Sequence, residues 1–221
     1  MSLSLLVPFT LSNNLKVNFM FNQPILIASN NLDKTIELAK CFKVANVHAQ
    51  SYQNKLARTT FPKEGTTSYL DNARQKAIFI AEKMPHAYVL GDDSGMIVDA
   101  YPDKFGVETS RQLVDYPTDK DKNDYLINLV AGKSRNVTLR TDLVLCSPSH
   151  HLYHGFGEFK GTFSDQERGQ NGYGFDKILI PQGETHTLAE MPDCKKAPYL
   201  HRTKAVHNLL KRAVQNEYEY F

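Results

Sequence analysis

Two carboxylates stand side by side in Gly91-Asp92-Asp93-Ser94-Gly95. Adjacent oxygen donors between glycines suit Mg²⁺, a hard ion that keeps water and anionic oxygens in its shell. An Asp-Gly-type turn would give the same letters. Glu64 is a third acid, able to complete a metal site or to sit as a surface carboxylate. Ser29-Asn30-Asn31-Leu32-Asp33-Lys34 lies where a strand gives way to a helix. The N–H groups and dipole of a helix start favour anions there, with Lys34 adding charge one turn in. A capped helix with a solvated lysine is the plainer alternative. Gly172-Tyr173-Gly174-Phe175-Asp176 sets two aromatics and a carboxylate on a glycine-rich loop, fit to stack on a flat ring and accept from its N–H groups. A hairpin with core aromatics fits the same residues. Lys196 and His201-Arg202 put cations near the start of the last helix, where the dipole prefers acids; that conflict favours ligand contact.

Two other patterns are set aside. Gly132-Lys133-Ser134 resembles the end of a phosphate-binding loop, but Ile127 stands where the first glycine belongs and a helix precedes it. His150, His151 and His154 look like metal ligands, yet on a strand successive side chains face opposite sides.

The elements that must position these residues follow from periodicity. Pro24–Ala28 reads as a buried strand, and Asn31 caps a helix with Leu32, Ile36 and Ala39 at helical spacing. Residues 44–67 are polar and irregular, with room for short strands. Ser68-Tyr69-Leu70-Asp71 has the form of a capping box and opens a helix with Leu70, Ala73, Ala77 and Ile80 on one face. Ala87–Leu90 is a strand, Gly91–Gly95 a turn-rich polar break, and Met96–Val98 extended again. A helix is expected over Asp119–Ala131, a hairpin over Asn136–Cys146 and His151–Phe159, a loop over 164–174, a strand over Phe175–Ile180, and a helix from about Pro198 through Leu210. Helices mixed with strands and a central hairpin imply an α/β fold with a mixed sheet.

Composition bounds the function. The chain has 221 residues, 26 Lys+Arg against 24 Asp+Glu, and a net charge of +2. Near balance argues against a protein that coats nucleic acid. With 41% apolar residues the chain can build a core, and no apolar run approaches the roughly 18 residues needed to span a membrane. Cys41, Cys146 and Cys194 are widely spaced and odd in number, which fits a reducing compartment and argues against a disulfide framework. Residues 1–23 carry one cation, Lys16, and no acid; they are expected to be an extension, able to be disordered, on a single domain of 24–221.

Taken in order, these segments resemble the inosine triphosphate pyrophosphatase family. Ser29 to Lys34 is similar to its S/T-x-N-x-x-K opening. Glu64 through Lys76-Ala77 is similar to a stretch ending E-N-A-x-x-K-A, and Gly91–Gly95 with Val98-Asp99-Ala100 to A-D-D-S-G-L-x-V-D-A. Gly106-Val107 and Ser110-Arg111 match P-G-x-x-S-A-R in part. Gly172–Asp176 resembles G-F/Y-G-F/Y-D, and Thr187, Ala189-Glu190-Met191, Lys196 and His201-Arg202 follow T-x-A-E-M/L…K…S-H-R. Gly91, Lys177 and Leu200 depart from the pattern's Ala, Pro and Ser.

The resemblance implies an elongated mixed β-sheet flanked by helices, in two lobes with a central active-site cleft. It implies a cytoplasmic homodimer that hydrolyses ITP, dITP and XTP, with Mg²⁺, to the monophosphate and pyrophosphate. Asp93 is then the metal ligand and general base, with Glu64 and Asp92 supporting the metal. Ser29, Asn30, Asn31, Lys34, Ser94, Lys196 and Arg202 hold phosphates; Tyr173, Gly174, Phe175, Asp176, His201 and Arg202 read the base. The partner is one small nucleoside triphosphate, not nucleic acid or membrane. A nucleotide-binding protein of the same fold with weak or no catalysis is the alternative.

Overall fold

A computed structural model describes residues 20–220. Among them, eight strands form one mixed sheet, flanked by helices. In chain order the elements are β1 (Ile25–Ile27), α1 (Leu32–Val44), β2 (Ala49–Ser51), α2 (Tyr69–Ala81), β3 (Val89–Val98), β4 (Tyr101–Gly106), α3 (Thr109–Gln112) and α4 (Asp119–Leu129). Then come β5 (Asn136–Cys146), β6 (His151–Phe163), β7 (Leu179–Pro181), α5 (Asp193–Lys196), α6 (His201–Val214) and β8 (Glu219–Tyr220). The strand order is β2-β1-β3-β5-β6-β7, with β4 on β3 and β8 on β6. β1 is parallel to β2 and to β3, whereas β4, β7 and β8 are antiparallel to their partners. Among the described residues no helix is long and apolar enough to cross a membrane.

The chain divides into two compact units: residues 20–93, 141–157 and 202–220 form the first, and 94–140 with 158–201 the second. In the first unit, strand alternation builds two apolar layers. Ile25, Ile27, Leu90, Leu143 and Leu145 meet Leu38 and Phe42 of α1 and Leu209 and Leu210 of α6. The intervening Leu26, Val89, Val144 and Cys146 meet Ala73, Ala77 and Ile80 of α2. The second unit has its own core, built on Met96, Phe105, Leu126, Phe159 and Ile178.

Local signals fix most starts. Asn31 Oδ1 accepts from Lys34 N–H at 3.0 Å and Ser68 Oγ from Asp71 N–H at 3.1 Å, so α1 and α2 begin at their side-chain caps. The expected extension of 1–23 lies outside the described residues up to residue 19. Phe21, within it, is buried edge-on against Tyr88 at 5.1 Å.

Two expectations are corrected. Gly91–Gly95 is not a break: β3 runs unbroken from Val89 to Val98 through both aspartates. Phe175-Asp176 lies in a 3₁₀ turn over Gly174–Lys177, and strand β7 begins only at Leu179. Leu32 and Ile36 keep helical spacing, but α1 turns Thr35, Leu38, Cys41 and Phe42 inward and leaves those two exposed.

Candidate active site

An unbroken β3 decides where the acids go. Neighbouring residues on a strand face opposite sides, so Asp92 and Asp93 separate. Asp92 is buried and meets α1, with its Oδ2 3.3 Å from Lys34 Nζ. Both its carboxylate oxygens are buried, and the Lys34 ammonium offsets their charge. Burial pushes its pKa up, but Lys34, then Arg202 and Lys76, outweigh that and hold it below the usual carboxylate value. Arg202, at the start of α6, donates from Nη1 to Glu37 Oε2 at 2.8 Å, and Glu37 lies one turn after Lys34 on α1.

Asp93 meets α2. Its Oδ2 accepts from Asn72 Nδ2 at 3.0 Å, and its Oδ1 lies 3.3 Å from Lys76 Nζ. Lys76 also contacts Glu64 Oε1 at 2.5 Å and donates to the Asp92 carbonyl at 2.7 Å. One ammonium therefore gathers Asp93 and Glu64. Asn72 further fixes the Glu64 segment, accepting from Gly65 N–H at 2.8 Å and donating to Gly65 C=O at 3.2 Å. Burial raises the Asp93 pKa, against the opposing pull of Lys76 and Asn72. Burial would lower that of Lys76, but Asp93, Asp92 and Glu64 outweigh it and raise it, so the lysine is a fixed cation. Asn72 and Lys76 are not among the site residues expected from the sequence. Their signal was present: a polar pair four apart on the otherwise apolar Ala73–Ala77–Ile80 face of α2. Glu37 carried no comparable signal.

Near the start of α1, Ser29 Oγ accepts from Asn31 N–H at 3.1 Å. Asn30 accepts from Tyr52 Oη at 2.7 Å and donates to Thr59 C=O at 2.9 Å.

The remaining expected residues lie in the second unit. Asp176 Oδ2 is 3.1 Å from Lys196 Nζ, and that buried ammonium also donates to Asn171 C=O at 3.0 Å and lies 3.6 Å from Asp193. Tyr173 is 45% exposed, whereas Phe175 packs partly on the second core. His201 is buried at the last residue of this unit, and Ser94 is its first. So Glu64, Asp92, Asp93, Lys34 and Arg202 gather in one unit, and Tyr173 to Asp176 with Lys196 in the other. Of the set-aside histidines, His151 stacks on Tyr218 at 3.7 Å and His154 bonds Asp142 at 2.8 Å.

Residues 25–212 match the model of the Ham1 family. The chain belongs to the Ham1 family. That bears out the resemblance to the inosine triphosphate pyrophosphatases and the expected mixed α/β fold. Among relatives, a dihydroneopterin triphosphate diphosphatase of Limosilactobacillus reuteri is 43% identical over 84% of this chain and 95% of its own. A dITP/XTP pyrophosphatase of Deinococcus deserti is 34% identical over 68% of this chain and 72% of its own. The solved Ham1 protein of Staphylococcus aureus superposes with a TM-score of 0.72 at 24% identity, covering 88% of this chain and 100% of that one, a likeness of fold.

Proposed function

We propose that this Ham1 protein is a Mg²⁺-dependent diphosphatase that cleaves ITP, dITP or XTP between the α and β phosphorus, giving the monophosphate and pyrophosphate. The observation that carries the reading is the convergence of Glu64 and Asp93 on one cation, Lys76. Two carboxylates that already meet around a positive charge fit Mg²⁺, which takes one or two protein carboxylates and fills its shell with water and phosphate oxygen. Among the described residues no group of three or more His, Cys, Asp or Glu could hold a metal, and water and substrate oxygens would fill the rest of the shell. Glu64 and Asp93 would hold the ion, and Asp92 stays with Lys34. When bound, Mg²⁺ supplies positive charge to the phosphate oxygens and makes a nearby water more acidic.

The chain's own residues do the rest. Asp93 takes the attacking water's proton. Asn72 and Lys76 aim it. Lys34, fixed by Asp92, and Arg202, fixed by Glu37, bind phosphate oxygens and offset charge on the departing pyrophosphate. Tyr173 stacks on the ring and Asp176, held by Lys196, accepts from a ring N–H. A buried donor facing the ring's 6-oxo group would be left unpaired by adenine, costing about 1–3 kcal/mol.

The 43% identical relative favours a second reading, dihydroneopterin triphosphate as substrate. A pterin carries the same carbonyl-beside-N–H edge as a 6-oxopurine, so one carboxylate can serve either ring. The test is a panel of ITP, dITP, XTP, dihydroneopterin triphosphate and dATP, with and without Mg²⁺, with pyrophosphate and orthophosphate measured separately. Mg²⁺-dependent pyrophosphate from the oxo-purines supports the first reading. A preference above tenfold for the pterin selects the second. Binding without turnover leaves the protein a nucleotide-binding member of its family and refutes both.

A further inference from the structure

Gly174 is held from behind by one helix. It sits at φ +57°, a left-handed conformation that glycine enters without steric cost. Its N–H donates to Asp119 Oδ2 at 2.8 Å, and its C=O accepts from Asn123 Nδ2 at 3.0 Å. Asp119 and Asn123 lie four apart on α4, hence on one face. Asn123 is fully buried, and its Nδ2 also donates to Glu167 Oε1 at 2.6 Å. With acceptors on both contacts, only the amino end of that amide can face them. Glu167 in turn pairs with Lys177 at 3.7 Å, the residue that stands where the family pattern has proline. Both main-chain polar groups of the glycine between Tyr173 and Phe175-Asp176 are therefore fixed by α4.

We propose that Asp119 and Asn123 are positioning residues that set ring selectivity, by fixing the face that Tyr173 and Asp176 present to the ring of a triphosphate. The inference rests on the ring-reading role given above to residues 173–176; the clamp on Gly174 does not. Neither residue needs to touch the ring. Two side chains on a regular helix hold a glycine-rich loop more sharply than the loop holds itself, and displacements of about 1 Å in a recognition loop are enough to lose substrate alignment.

Asp119 is exposed, so its replacement leaves the core intact. The full chain is assayed as wild type, Asp119→Ala, Asp119→Asn and Asn123→Asp. Pyrophosphate release from the preferred triphosphate of the panel and from dATP is measured, with hydrogen exchange followed across residues 172–177. Asp119→Ala is expected to raise KM for the preferred substrate about tenfold, the size of one lost charge-assisted hydrogen bond, with kcat held within about twofold. Selectivity over dATP should fall by the same factor, and exchange at Gly174 should speed up. Asp119→Asn, which keeps an acceptor for the Gly174 N–H, should restore most of the loss. Asn123→Asp, which sets an acceptor against two acceptors, should reproduce it. Equal losses on both substrates, a fall in kcat alone, or faster exchange with unchanged selectivity each overturn the proposal. A wild type that turns over nothing in the panel refutes the proposed function itself, visible before any variant is made, and the selectivity role falls with it.

Discussion

Gly91→Ala puts one methyl group where β3 and α2 touch. The family pattern has alanine at this position, so the substitution looks harmless on sequence. The structure says otherwise. A Cβ on Gly91 would lie 2.8 Å from Ala77 N and 2.9 Å from the Ala73 carbonyl carbon, and closer still to the Ala73 oxygen. Carbon contacts settle near 3.5–4.0 Å, so α2 must withdraw by about 1 Å. The atoms in the way are helix backbone, which cannot rotate aside as a side chain could. Overpacking of this kind costs about 1–3 kcal/mol. For a domain of this size that is a fall of roughly 4–8 °C in Tm for the middle of the range. The same movement strikes the site, because α2 carries Asn72 and Lys76, whose bonds to Asp93 are 3.0 and 3.3 Å long. A withdrawal of about 1 Å breaks both, and misplacements of that size cost about 10²-fold in rate. Calorimetry and pyrophosphate release on wild type and Gly91→Ala give the two numbers. Loss of activity exceeding the loss of stability supports the account. A variant within 1 °C of wild type and fully active, on the order of experimental error, would refute the reasoning that α2 rests directly on Gly91.

Further expectations follow from the charges and thiols. Lys76→Met leaves Glu64 and Asp93 facing each other without a cation; breaking the buried Lys76–Asp93 pair costs about 3–5 kcal/mol, with solvent screening the 39% exposed Glu64, and added Mg²⁺ should raise the variant's Tm more than the wild type's. Burial pushes the Cys41 and Cys146 thiols up to about 11. Because both native values lie above the unfolded value near 8.5, their contribution to stability is complete below that pH and is lost as pH rises towards 11. Alkylation of native protein at neutral pH, read by mass spectrometry, should therefore label exposed Cys194 and spare the other two until the chain unfolds.

What could be read from the chain was what is local. The caps at Asn31 and Ser68, the buried run at Ile25–Ile27 and the strand Asn136–Cys146 announce themselves through short-range chemistry. Gly91-Asp92-Asp93-Ser94-Gly95 misleads because each residue is a turn former by itself, whereas β3 pairs with β1 through Val89 and Leu90, and Lys34 and Lys76, cations from other elements, offset the charge of its two aspartates. The aromatic Phe175 favours a strand, but Gly174–Lys177 form a 3₁₀ turn. The exposed stripe of Leu32 and Ile36 shows the limit of periodicity: it finds a helix, not which side is buried. The site was legible as acids and cations in order. How they pair was not, since Asp92 with Lys34 and Asp93 with Lys76 follows from the alternation of a strand that had not been recognised as continuous.

The central claim is that Asp93 takes the proton of the attacking water. The direct measurement is the rate of pyrophosphate release from the preferred triphosphate by Asp93→Asn at saturating Mg²⁺, with circular dichroism and Tm recorded on the same sample. A loss of at least about 10²-fold with the fold retained is expected, the size of a general-base contribution. Turnover within a few-fold of wild type by that folded variant would contradict it.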